Sequence, residues 1–134
     1  MIEPLIGNKA IEDAAITFVV EQERRAGREA RDMRYREAAG DLESGERVIE
    51  VKAAARFVRS SGFLMLESRQ VEEAKRNPNF YLYVVENVAQ GDPALFELRV
   101  IGGEQLHRII ARAKERRYFE VPLPVAEYES LPRG

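Results

Sequence analysis

The chain has 134 residues, 45% of them apolar and 33% charged, with a net charge of −2. That supports one domain of ordinary size with a true core, and it excludes a uniformly basic nucleic-acid binder, so any phosphate contact must come from local clusters. The lack of cysteine excludes disulfides, cysteine catalysis and cysteine-ligated zinc, while a single histidine, His107, is all that a His-based metal site or a Ser-His-Asp triad would have to draw on.

No apolar run approaches the roughly 18 residues of a membrane span. No apolar leader follows Met1 to Pro4, so a soluble, cytoplasmic protein is expected. The basic residues are 17 Arg against 4 Lys. The planar arginine fork suits phosphate, although a biased genome composition explains the excess as well.

In chain order, the first helical pattern runs from about Asn8 to Arg25, with Ile11, Ala15, Phe18, Val19 and Gln22 on one side. Asn8 reads as its N-cap and Gly27 as its stop. Glu12 and Glu23 lie along the edge of that stripe. Residues 28–37 read as a weak strand and 38–46 as a loop holding Gly40 and Gly45. Arg47 to Ala53 reads as a strong strand, and Phe63 to Leu66 as a short buried one. Ser68 to Arg76 reads as a helix with Ser68 as its N-cap. Asn77-Pro78-Asn79 marks a turn. Phe80 to Val88, aromatic and β-branched, is the clearest strand. Leu95 to Ile101 reads as another strand, broken by Gly102-Gly103, and Glu104 to Arg116 as a last helix. The Pro-containing tail 121–134 reads as extended. The order helix, three strands, helix, two strands, helix predicts a single α/β domain over 1–134, a mixed sheet of about five strands flanked by helices.

The chemistry concentrates in Val48-Ile49-Glu50-Val51-Lys52. Alternate strand residues share a face, so Glu50 and Lys52 point together while Ile49, Val51 and Ala53 face the other way. A carboxylate and an ammonium in an apolar strand are costly to bury without partners. A hard cation or a phosphate with water would satisfy both. Asp41, nine residues upstream, would come alongside Glu50 through a hairpin-like connection. Glu12 on the first helix could approach the same cluster, and Gln70 opens the helix after the short apolar run. Arg56, Arg59 and Arg69 could make a phosphate-facing cluster. Each residue also has a plain structural role: a cross-strand ion pair for Glu50 and Lys52, a turn for Asp41, a helix-dipole partner for Glu12, a first-turn residue for Gln70, and a solvated face for the arginines. His107 reads as a surface or packing residue.

Four segments, Gly40 to Ser44, Val48 to Lys52, Gln70 to Ala74 and Tyr81 to Val88, resemble the NO VEIN C-terminal-like domain family. That family is similar to Mrr-type members of the PD-(D/E)XK nuclease superfamily. The resemblance implies a restriction-endonuclease-like fold and a metal-dependent DNA endonuclease of restriction, defence or repair. It implies Asp41 and Glu50 as Mg²⁺ or Mn²⁺ ligands, Lys52 as the catalytic lysine, and Glu12 as the acid on the opening helix. It also implies DNA as partner, with a helicase or ATPase as a fused or separate one; a homodimer stays open. The sequence departs from the family pattern in lacking a Tyr between Gly40 and Asp41, in Gln70 where Glu is usual, and in the run Ala53-Ala54-Ala55 after Lys52. Those departures keep a second expectation open, a non-cutting module of the same fold that binds nucleic acid or docks such a partner. An even scatter of the arginines would favour a module of protein contacts.

Overall fold

The computed structural model describes residues 2–56 and 64–134. The chain opens with helix α1 (Asn8–Arg25), which starts after Gly7 and ends at Ala26. Gly27 then turns the chain through a left-handed φ of +84°, as glycine does at helix ends. Strands β1 (Ala30–Asp32), β2 (Leu42–Ser44) and β3 (Arg47–Ala53) follow, then α2 (Ser68–Arg76), β4 (Phe80–Glu86), β5 (Glu97–Ile101), α3 (Gly103–Ala111) and the short α4 (Val125–Glu129).

The five strands form one mixed sheet in the order β1-β2-β3-β4-β5. All neighbours are antiparallel except β3 and β4, which run parallel. A parallel pair cannot be joined by a tight turn, and the connection from β3 to β4 passes through α2. α1 covers one face through Ala15, Ile16 and Val19, packed with Leu42, Ile49, Val51, Tyr83 and Val85. α2 and α3 cover the other through Ala74, Leu106 and Ile110, packed with Phe80 and Leu82. Each buried side chain of this size contributes roughly 1.5–3 kcal/mol, so both layers are needed. Among the described residues no helix is long and apolar enough to cross a membrane.

The expected α/β architecture and strand number hold, but one strand is a different segment. β2 forms inside the stretch expected to be a loop, while Leu64–Leu66 is not strand and Phe63 lies outside the described residues. Leu64 and Met65 are exposed, and of that stretch Leu66 packs on the core. The strand expected over 28–37 stops at Asp32, whose carboxylate accepts the Arg34 N–H at 3.0 Å and turns the chain. β5 starts two residues late because Asp92 accepts the Ala94 N–H at 3.0 Å, closing a 3₁₀ turn over Pro93–Leu95. Gly7 rather than Asn8 is the N-cap of α1. α3 ends at Ala111, short of Arg116. The tail is not wholly extended, since Val125–Glu129 makes a helical turn.

Candidate functional site

The hairpin of β2 and β3 positions the acids. Ser44 pairs with Arg47 and Leu42 with Ile49, leaving Gly45 and Glu46 as a two-residue turn. Gly45 has φ +58°, the conformation that such turns demand of glycine in their first position. The turn fixes the register, and continuing it by one residue sets Asp41 opposite Glu50. The Asp41 carboxylate is anchored there by the Val51 N–H, which donates at 2.9 Å. Just before it, Gly40 crosses β3 so closely that a Cβ would stand 2.8 Å from the Ile49 carbonyl oxygen. The absence of a side chain at 40 is what lets Asp41 reach this place.

Asp41, Glu50 and Lys52 line an open cleft of about 320 Å³, together with Val51, Ala53 and the first turns of α1 at Asn8, Ile11 and Glu12. Lys52 Nζ lies 3.2 Å from Glu50 Oε2. Glu50 Oε1 is fully buried and, among the described residues, has no hydrogen-bond partner. Burial, and then the Asp41 charge, push the Glu50 carboxyl up to about 7 against the pull of Lys52. Burial also raises Asp41, opposed by the Val51 N–H, with the charge of Glu12 adding to the rise. A buried and a half-buried acid that repel each other in a cleft suit a hard divalent cation. Such an ion binds through one or two carboxylates and fills its remaining places with water or phosphate oxygens.

The sequence-predicted residues fare unequally. Asp41, Glu50 and Lys52 converge. Glu12 reaches the rim of the cleft, but its carboxylate is turned to Arg34 at 3.3 Å, and among the described residues no group of three His, Asp or Glu side chains gathers to hold a metal. Gln70 is engaged elsewhere: its side chain accepts the Glu67 N–H at 2.9 Å in a capping box, which makes Glu67, not Ser68, the N-cap of α2. Arg69 donates to the Ala38 carbonyl at 2.7 Å, tying α2 to the loop before Asp41. Arg56 is exposed. Arg59 lies outside the described residues. Of the described two, neither Arg56 nor Arg69 lines the cleft.

Sequence reasoning missed one support of the site, Arg34, and a buried polar network apart from it, around Glu23. Arg34, its side chain only 12% exposed, binds Asp32 at 2.8 Å and Asp13 at 2.7 Å as well as Glu12. It clamps the turn after β1 to α1, and nothing in a run of mixed charge singled it out. Glu23, noted only as an edge residue, is buried; it accepts two bonds from Arg28, at 2.6 and 2.9 Å, and one from Tyr83 Oη at 2.9 Å. Burial alone would raise the Glu23 carboxyl, but hydrogen bonds from Arg28 and Tyr83 bring it below its ordinary value. Arg47 completes the network, donating to Tyr83 Oη at 2.7 Å and standing 4.1 Å over the Tyr81 ring.

These features define an α/β domain that gathers two acids and a lysine in an open cleft at the end of its central parallel strand pair. The chain belongs to the family described as Protein NO VEIN, C-terminal, whose model matches residues 11–99. The matched range takes in Glu12, Asp41, Glu50, Lys52 and Gln70, and stops before α3 and the tail. No curated protein and no solved structure matched the chain.

Proposed function

We propose that the cleft is a phosphodiester-cleaving site of the PD-(D/E)XK type, acting on DNA with Mg²⁺ or Mn²⁺. The observation that carries this reading is the buried Glu50 Oε1 without a partner, set beside Asp41 and Lys52 in a cleft open to a large substrate. Asp41 and Glu50 would hold the metal, which when bound supplies Lewis acidity to a phosphate oxygen. Lys52, its side chain 27% exposed, orients the attacking water and offsets charge gathering on the phosphate. The Val51 N–H keeps Asp41 aimed, and Arg34 holds Glu12 at the rim. Arg56, exposed just beyond β3 and outside the cleft lining, would meet a backbone phosphate beside the one that is cut.

The test is cleavage of linear, supercoiled and single-stranded DNA by the purified chain with Mg²⁺ or Mn²⁺, beside Glu50→Ala and Lys52→Ala. The expected result is metal-dependent cutting that falls by roughly 10²–10³-fold in each variant, the scale of losing one electrostatic stabiliser. Cutting that survives both substitutions would refute the assignment.

One further reading has its own support. Away from the cleft the arginines pair locally, as Arg24 and Arg25 do with Glu21, Arg31 with Glu43 and Arg76 with Glu73. This scatter favours a module of protein contacts that neither cuts nor binds nucleic acid. It predicts no cutting and no DNA binding by folded protein.

A further inference from the structure

A second concavity lies far along the chain from the cleft residues. Ile101 at the end of β5 and Gln105, Arg108, Ile109 and Arg112 at α3 enclose a groove of about 310 Å³. The two isoleucines give it an apolar floor, and both are only partly buried. Arg108 and Arg112 are exposed, and among the described residues neither has an acidic partner. The groove therefore has an apolar floor and two arginines without an acidic partner, Arg112 donating only to the Arg108 carbonyl at 3.4 Å.

The same chain carries its chemical complement. From Ala111 to the last residue every position is exposed. The apolar side chains of this tail are large and open to water: Phe119 is 93% exposed, Val125 72%, Tyr128 63% and Leu131 49%. Between Tyr118 and Pro132 the charged residues are Glu120, Glu127 and Glu129, with no Lys or Arg. None of the three has a basic partner among the described residues. On α4, Val125 and Tyr128 are three residues apart and share a side of the helix; Glu129 flanks that side, while Glu127 lies on the opposite one. A stretch this apolar is not left in water without cost, and an exposed patch of this kind marks an interaction surface.

We infer that α4 of one chain docks in the α3 groove of a second copy, Val125 and Tyr128 on the isoleucines and Glu129 against Arg108 and Arg112. Tail and groove belong to the same sequence, so the exchange is reciprocal and closes under a twofold axis. Closing both ways doubles the buried area toward the roughly 1,200–2,000 Å² of a stable interface. The pairing brings Glu129 against Arg108 and Arg112 at each contact and covers the Val125 and Tyr128 side chains. It involves no residue of the cleft, so it stands or falls apart from the nuclease reading.

The test is sedimentation equilibrium of the whole chain over a concentration series, with two charge-reversed variants. Arg108→Glu/Arg112→Glu and Glu129→Arg should each stay folded by circular dichroism and weaken the dimer at least about tenfold. Mixing the two variants should restore association, because both contacts of the mixed dimer are then complementary again. Since the chain has no cysteine, Ile109→Cys and Tyr128→Cys can be made in separate copies; their mixture should form a disulfide between chains. A chain that stays monomeric to about 100 µM, with Tyr128 either free or docked on its own groove, would overturn the inference. So would a dimer indifferent to both reversals.

Discussion

Glu50→Gln gives the sharpest test of the electrostatics of the cleft. The glutamine keeps the shape and removes a charge that the native fold holds at a disadvantage. The Glu50 carboxyl titrates at about 7 against an ordinary 4.5. Between those values the unfolded chain has released this proton and the native chain has kept it. Stability therefore falls as pH rises across the window, and what protonated Glu50 contributed below pH 4.5 is gone above about 7. The gap corresponds to about 3 kcal/mol. The difference in stability between Glu50→Gln and wild type should thus shift by about 2–3 kcal/mol in favour of the variant from pH 5 to pH 8. Urea unfolding in EDTA measures it, and with slopes of about 1–3 kcal/mol per molar the midpoint difference should move by about 1–2 M. Taking the difference between two proteins cancels the titrating groups that do not interact with Glu50, and leaves only Glu50 with its neighbours Asp41 and Lys52. A variant-minus-wild-type difference that is the same at both pH values would refute the reasoning. Added Mg²⁺ at pH 8 should stabilise the wild type more than the variant.

Two further outcomes follow from the geometry. Gly40→Ala forces a Cβ to within 2.8 Å of the Ile49 carbonyl oxygen and 3.0 Å of Val48 Cγ1; overpacking of this kind costs about 1–3 kcal/mol. The backbone must retreat and carry Asp41 with it, so Mn²⁺ affinity, read by paramagnetic relaxation, should drop alongside stability. An unchanged affinity would show that Asp41 is not held by this approach. Tyr83→Phe removes the hydroxyl that donates to Glu23 and accepts from Arg47, leaving buried partners short of a bond at a cost of about 1–3 kcal/mol. Thermal unfolding measures that loss, and the cleft residues, which do not touch the network, should keep their metal response.

The pattern of residues by itself determined the strong elements. Arg47–Ala53 and Phe80–Glu86 are strands because their branched and aromatic residues can be buried on both faces. α1 is a helix because its apolar positions recur at helical spacing. The same alternation set Glu50 and Lys52 on one face of β3, and the spacing to Asp41 suggested a second acid beside them. What sequence did not settle were segments whose fate depends on distant partners. Leu42–Ser44 looks like a loop and becomes a strand because the Gly45 turn lays it on β3; Leu64–Leu66 looks like a strand and is none, since most of it finds nothing to cover it. Gln70 was available in sequence for the cleft, but the N–H of Glu67, three residues away, claimed it first. Arg69 likewise went to the Ala38 carbonyl. The carboxylate of Glu12 was settled by Arg34, 22 residues on, which tertiary folding brought against α1. Local hydrogen bonds and side-chain periodicity are written in neighbouring residues; which of several donors wins a given carboxylate is decided only when packing sets the distances.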